Sequence, residues 1–348
     1  MMKKYKPITQ KDIADALGLS ISTVSRVLNN VYGIGDTTKK LVLDYAKETE
    51  YAPNPIALRL KKCRSFSIGV VVPEVASSYF SEVINGIESS AYRKGYHVIV
   101  TQTHESTRRE MINIQQLVYQ SIDGILVSLS SETVDISHFK ALKEKGTPLV
   151  FFDRVPKDMD VTKIAVNNFQ GAFEATEYLI RSGHKKIAHL TSCANLMITD
   201  ERLNGYKAAL SKYYVQFNAN YFYCCESHGN VNFEVEKAVI HFMSLRERPE
   251  AILTVGDKVS VSCIKALNKF GFKIPHDISL VAFANITEAD MFKTPLTTVS
   301  QPAFEIGKLA ADKLIKQIED KLACTEFETS ILTTSFDRRS SAKLNLIR

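Results

Sequence analysis

SISTVSRVLNN (residues 20–30) sorts its apolar and polar residues too evenly for a loop. Ile21, Val24 and Leu28 recur at helical spacing with Val27 beside them, while Ser22, Thr23, Ser25, Arg26 and Asn29 fill the gaps. Ser20 has the chemistry of an N-cap, because its hydroxyl can accept from a free backbone N–H of the first turn. Upstream, Thr9 and Asp12 have capping-box spacing, and Ile13, Ala14 and Leu17 share one helical face. Gly18 between the two segments ends the first helix and permits a tight turn. Downstream, Asp36 is positioned to N-cap a third helix that buries Leu41, Tyr45 and Ala46 and stops before Pro53.

Helix, short Gly-containing turn, helix is the helix-turn-helix pattern, in which the second helix enters the DNA major groove. Ile13, Leu17, Val24 and Leu28 are then the cement, and Ile21, Ser22, Thr23, Ser25 and Arg26 face outward. Small hydroxyls allow close approach to phosphates, and an arginine can pair with guanine through two hydrogen bonds. Charge agrees with this reading. Residues 1–64 hold 12 Lys/Arg against 6 Asp/Glu, whereas the rest of the chain holds 32 of each. The whole surplus of +6 therefore belongs to one short segment, as in a polyanion-binding module on a neutral body. On charge alone, a solvated basic face without a partner fits equally well.

The remaining composition excludes several classes. At 348 residues with 45% hydrophobic and 24% charged residues, the chain has ordinary globular composition and room for two or three domains. No run of eighteen apolar residues occurs, so no membrane span is expected. The basic start MMKKYKPITQKD lacks an apolar stretch after it, so export is not expected and a cytoplasmic, nucleoid-associated location is. The six cysteines form no Cys-x-x-Cys pair and are expected to be reduced core thiols.

After Pro53, Asn54 and Pro55 could start a short helix through about Leu60, flanked by Arg59, Lys61, Lys62 and Arg64. It is too short to be stable alone. From Phe66 the pattern changes. SIGVVVP, HVIVT, GILVSL, PLVFFD, KIAHLT, AILTV and SLVAF are short apolar strands separated by helix-length segments such as Tyr79–Arg93 and Val259–Phe270. Alternating β and α with near-continuous apolar strands argues doubly wound parallel sheets, and so many units suggest two lobes around a cleft.

KDIADALGLSISTVSRVLNN, YAPNPIALRL and IGVVVPEVASSYFSEVINGIE resemble the lac repressor/purine repressor family of bacterial transcriptional regulators. IDGILVSL, PLVFFDR, ERLNGYKAAL, IPHDISLVAF and PLTTVSQP extend the likeness over residues 8–340. The resemblance implies a small all-α helix-turn-helix domain (residues 1–53), a hinge helix and linker (54–65) and an α/β core (66–340). That core would be two doubly wound parallel-sheet lobes resembling periplasmic sugar-binding proteins. Lobe 1 would hold residues about 66–164 and 298–340, and lobe 2 residues about 165–294. It further implies a homodimer that reads two half-sites of a palindromic double-stranded DNA operator. Ser20, Ile21, Ser22, Thr23, Ser25, Arg26 and Asn29 would then contact DNA, with Asn54, Ala57 and Leu60 from the hinge. Leu60 falls where the family wedges a leucine into the minor groove, unstacking a base step in exchange for a bend.

Ligands of such folds bind outside the carboxyl ends of the strands. Asp153, Asp257 and Asn285 stand at those ends, with Tyr79 and Phe80 after the first strand. Arg202 falls where the family commonly places an effector-binding arginine. The mixture suits a sugar-like small-molecule effector, with aromatic faces against its ring and charged groups on its hydroxyls. Phe80 fits a lobe core as well as a pocket wall, and Asp257 fits a helix cap. The sequence departs from the family at Ala284, where an acidic ligand contact is common, and at Asn167–Asn168, where an acidic residue often stands. Lys258 adds a positive charge beside the cleft. The final segment SAKLNLIR shows no leucine heptad, so the tetramerising helix of some relatives is not expected.

No Gly-x-Ser-x-Gly elbow, phosphate-binding loop or dinucleotide glycine fingerprint occurs, and His184 and His189 lack metal-ligand spacing. The expectation is a DNA-binding regulator, a repressor by family default, that is not an enzyme and has no metal or cofactor. The rival reading is a soluble sugar-binding receptor or sugar-processing enzyme with a vestigial DNA module.

Overall fold

The computed structural model describes residues 8–51, 64–192, 196–225, 231–287, 289–320 and 327–342. The chain divides into two compact units between Ser65 and Phe66. The expected hinge, with Asn54, Ala57 and Leu60, lies outside the described residues.

The described residues of the first unit form three helices, α1 Gln10–Leu17, α2 Ile21–Leu28 and α3 Asp36–Glu48. The Thr9/Asp12 capping box closes on both sides, with Asp12 N–H donating to Thr9 Oγ1 at 3.2 Å and Thr9 N–H to Asp12 Oδ2 at 2.8 Å. Gly18 takes the left-handed conformation (φ 63°) that ends α1, and the Ser20 hydroxyl accepts from Thr23 N–H at 3.1 Å to start α2. Ile13, Ala14, Val24, Val27 and Val42 form the core, with Leu17, Leu28, Tyr45 and Ala46 against it. Two expectations fail in α3. Asp36 is its first helical residue, and the N-cap is Gly35. Leu41 is 50% exposed and Val42 fully buried, because Val42 shares its face with Tyr45 and Ala46 at i+3 and i+4.

The second unit contains two six-stranded sheets. The first has the order β11-β5-β4-β3-β1-β2, from Ser67–Val72 (β1), His97–Gln102 (β2), Gly124–Val127 (β3), Leu149–Phe152 (β4), Thr162–Val166 (β5) and Thr329–Leu332 (β11). All its pairings are parallel. The second has the order β12-β10-β9-β8-β6-β7, from Ile187–Ser192 (β6), Phe222–Cys225 (β7), Ala251–Val255 (β8), Ser279–Phe283 (β9), Thr297–Ser300 (β10) and Ser335–Asp337 (β12). It is parallel except that β12 runs antiparallel to β10. Both sheets thus repeat one winding, second strand outside first, third on its other side, and each has a switch point beside its first strand.

Helices cover both faces of each sheet. Around the first lie α4 Ser78–Arg93, α5 Thr107–Tyr119, α6 Ser137–Glu144 and α11 Ala303–Glu319; around the second lie α7 Asn168–Arg181, α8 Met197–Lys212, α9 Val231–Ser244 and α10 Asp257–Lys269. Glycines let two helix pairs approach closely. A Cβ on Gly86 would lie 2.0 Å from Phe304 O, and one on Gly307 1.9 Å from Val83 O, where α4 crosses α11. A Cβ on Gly205 would lie 2.2 Å from Phe169 O, where α8 crosses α7.

Residues 298–340 do not return as a block to the first lobe. β10 pairs with β9, and β12 pairs with β10, so both belong to the second sheet. Only residues 303–332 go back, and Ser341 seals the second lobe by donating to Leu280 O at 2.6 Å. The chain therefore passes between lobes three times, at residues 166–168, 300–303 and 332–335. Other corrections concern single residues. Cys225 and Cys263 are free and buried, but Cys224 is disulfide-bonded. His184 and His189 are both buried, His189 within β6.

Candidate functional site

In the first unit, α2 presents a polar face built by its own caps. Ile21 is 49% exposed, Ser20, Ser22, Arg26 and Asn29 are exposed, and Thr23 and Ser25 are half-buried. Ser20 Oγ also lies 2.8 Å from Ser22 Oγ and 2.8 Å from Thr23 Oγ1, so the hydroxyls form one patch at the helix N-terminus. Asn29 turns its amide inward to Ser25 O at 2.6 Å. Arg26 has no ion-pair partner among the described residues and is left to meet solvent or a ligand.

In the second unit, a cavity of about 220 Å³ opens between the carboxyl ends of the two sheets. Tyr79, Phe80, Asp153, Arg202 and Asp257 all line it, although they come from α4, the residue just after β4, α8 and α10. Tyr79 and Phe80 serve both anticipated roles, because they line the cavity and belong to the core of the first lobe, with rings 5.1 Å apart edge to face. Asp153 is buried with φ 59°, a conformation that costs most side chains about 1–3 kcal/mol and concentrates at functional sites.

Arg202 is 6% exposed and held on three sides. Its Nε donates to Asn168 Oδ1 at 2.8 Å, its Nη2 to Gln301 Oε1 at 3.4 Å, and its guanidinium lies 4.0 Å from the centre of the Phe283 ring. Burial lowers its pKa, opposed by the charge of Asp153. Burial raises the pKa values of Asp153 and Asp257. Burial and the charge of the adjacent Asp153 raise that of Tyr79.

Asn285 is not among the lining residues. Its amide clamps Gln301, donating to Gln301 O at 2.7 Å and accepting from Gln301 N–H at 2.9 Å, and its backbone N–H donates to Asp257 Oδ1 at 2.9 Å. It holds Asp257 and Gln301 in place from behind. Asp257 does not cap its own helix with its side chain. It is the first residue of α10, and its carboxylate reaches the other lobe, where it accepts from Ser77 Oγ at 3.3 Å and from the Tyr79 backbone. Lys258 is paired with Glu74 across the mouth.

Sequence reasoning missed Arg154, which lines the cavity and donates to both Glu105 oxygens at 2.9 and 2.7 Å. Its signal was position, directly after Asp153 at a strand end. Asn168 was noted only as a departure, but its neutral amide bridges Arg202 and Glu201, accepting from the first and donating to the second at 3.0 Å. Ala284 is buried in the second lobe, so no carboxylate enters from that position.

A compact helix-turn-helix unit joined to a two-sheet domain with a charged, aromatic-walled cleft defines a class, the ligand-sensing DNA-binding regulators. Residues 9–54 match the family described as bacterial regulatory proteins, lacI family. Residues 65–339 match periplasmic binding proteins and sugar binding domain of LacI family. The chain is 34% identical over 316 residues to the HTH-type transcriptional repressor PurR of Vibrio atlanticus, covering 90% of this chain and 92% of that one. It is similar in structure to the Lac repressor dimer bound to operator and the anti-inducer ONPF, with TM-score 0.83, 23% identity and coverage of 97% and 100%. A LacI family transcriptional regulator from Enterococcus faecium with bound ribose superposes with TM-score 0.70 at 22% identity, covering 80% and 99%.

The chain belongs to the lacI family of bacterial regulatory proteins. It is a DNA-binding transcriptional regulator with a small-molecule-binding core, and not an enzyme. Among the described residues no helix is long and apolar enough to cross a membrane.

Proposed function

We propose that the protein is a repressor that binds a palindromic operator as a homodimer and is controlled by a sugar-like effector in the inter-lobe cleft. Ser20, Ile21, Ser22, Thr23, Ser25, Arg26 and Asn29 form the reading face, and Asn54, Ala57 and Leu60 form the hinge contacts. Tyr79, Phe80, Asp153, Arg202 and Asp257 hold the effector, joined by Arg154 and supported by Asn285. The observation that carries the effector site is Arg202. A buried guanidinium fixed by an amide, a glutamine and an aromatic face leaves its remaining N–H groups to the cavity. Burying a charge in that way is costly without a partner to bind.

Effector binding changes lobe closure, closure changes how two subunits present their DNA modules, and by reciprocity the operator shifts effector affinity by the same factor. The test begins with selection of binding sites from a random duplex pool by full-length protein at fixed, near-physiological salt. Operator binding is then measured with and without a cell metabolite extract. A palindrome should be enriched, and the extract should change its affinity. Arg202→Ala should bind the operator within about twofold of the parent and lose the response to the extract. A retained response in that variant would remove Arg202, and with it the cleft, from the mechanism.

A further inference from the structure

Three segments carry the chain between the lobes, and the first turn of α7 touches every one of them. Asn167 and Asn168 end the first crossing. Asn167 N–H donates to Leu332 O of the third at 2.9 Å, and a Cβ on Gly171 would lie 2.9 Å from Thr334 Oγ1 of that same segment. The second crossing, residues 300–303, is reached through a side chain of α8. Arg202 donates from Nε to Asn168 Oδ1 at 2.8 Å and from Nη2 to Gln301 Oε1 at 3.4 Å. One guanidinium therefore joins two crossings that are remote in sequence.

The supports of that guanidinium also bear on the start of α7. Gly205, one turn beyond Arg202, brings the α8 backbone against Phe169 O, where an added Cβ would lie at 2.2 Å. The Phe283 ring that carries Arg202 lies 2.8 Å from the Cβ position of Gly171. Asn168 is 1% exposed and is not a lining residue of the cavity. Its amide is committed in both senses. Oδ1 accepts from Arg202, while Nδ2 donates to Val166 O at 3.3 Å and to Glu201 Oε2 at 3.0 Å. A carboxylate could accept from Arg202 but would set a second charge beside Glu201.

We infer that Asn168 is a positioning residue that makes Arg202 a brace between the first and second crossings, so that a ligand engaging Arg202 acts on the interlobe hinge directly. The inference rests on reading the cleft as the effector site. Asn168 and Gln301 are neutral, and they hold the guanidinium by hydrogen bonds alone. A ligand that draws the N–H groups into the cavity competes first with Gln301, whose bond is the longer. Breaking it frees the second crossing from the first, while Asn168 keeps α8 on the first. Bridged and unbridged hinges are the two arrangements that coupling between distant sites requires.

Backbone hydrogen exchange of full-length protein without additive, read by mass spectrometry, tests the brace. Asn168→Leu keeps the side-chain size and removes the acceptor. Exchange over residues 300–306, which reach Asn168 through Arg202, should rise by about threefold or more. Asn168→Asp retains an acceptor for Arg202, so exchange over 300–306 should stay at the parent's level. A rise confined to residues 166–171 in Asn168→Leu would show a local packing role and overturn the inference, as would equal rises over 300–306 in both variants. Should Asn168→Leu not fold, Gln301→Leu cuts the bridge from its other end. It should raise exchange over 166–171 to a similar degree, and no rise there would be equally fatal. For the response, the probe is a cell metabolite extract. The extract should still raise the unfolding temperature of Asn168→Leu, yet shift its operator affinity about fivefold less than the parent's, or less still. A shift equal to the parent's would refute the coupling. An extract without effect on the parent's operator affinity is a failure of the effector reading, and the exchange measurements still decide the brace.

Discussion

His189 is an instructive residue because its burial has a consequence that can be measured by pH. It lies on β6, next to the edge strand of the second sheet, stacked 5.9 Å from Phe222 and tilted 5.0 Å from Tyr206, with neither ring nitrogen hydrogen-bonded. Burial, with the charges of Arg202 and Lys207, lowers its pKa to about 3. Below the unfolded value of about 6.5, the unfolded chain takes a proton that the folded chain refuses. Stability is therefore lost as pH falls from 6.5 toward 3, by about 1.4 kcal/mol per unit once well below 6.5. At pH 5 the loss from this group is about 2 kcal/mol. His189→Phe keeps the ring stack and removes the titration, so the drop in unfolding temperature between pH 7.5 and pH 5 should shrink in the variant. Equal drops would show that His189 does not titrate in this way. The same residue marks a limit of sequence reading. Its place in the apolar run KIAHLT indicated a strand, but not that α8 and β7 would enclose the ring. Arg202, Asp153, Tyr79 and Phe80 were legible from their places at strand ends and in family motifs. Asn285 was misplaced because the chain around it gives no sign that its amide turns away from the cavity to clamp Gln301.

At the scale of elements, short-range patterns were read more reliably than pairings. The caps of α1 and α2 are local hydrogen bonds between residues three apart, so Thr9, Asp12 and Ser20 announce them directly. Strands β1, β3, β4, β6, β8 and β9 are buried on both faces and appear as continuous apolar runs. The edge strands β11 and β12 alternate exposed and half-buried residues and carry too little apolar signal to stand out, and so the return through residues 298–340 was assigned to one lobe. Helix crossings were invisible for another reason. Gly86 and Gly307 are 221 residues apart in sequence and become meaningful only where α4 meets α11. Gly307→Ala should force the two helices apart, at a cost of about 3 kcal/mol or more, the upper range for overpacking. The check is chemical or thermal unfolding of the variant beside Gly95→Ala, where no atom lies within 4 Å of the added carbon. Gly95 has φ 76°, so its cost is conformational alone, and a Gly307 variant no less stable than this control would refute the close crossing.

The whole molecule couples two recognition events, and one outcome belongs to that scale. Leu60→Ala should weaken operator binding by tenfold or more and leave effector affinity in the absence of DNA unchanged. Unaltered operator affinity would remove the hinge from the mechanism. The interleaved path of the chain has one more consequence, in the order of synthesis. The N-terminal unit is complete by Ser65 and has its own core, whereas the outer edge of β5 is not covered until residues 329–332 are made, and that of β10 until residues 335–337. At about 5–20 residues per second, the helices meant for DNA leave the ribosome on the order of 15–50 seconds before either sensing lobe can be finished. During that interval both sheets have an open edge, the state in which β proteins misassociate most readily. A nascent regulator of this design has its reading head before it can be told what to do with it.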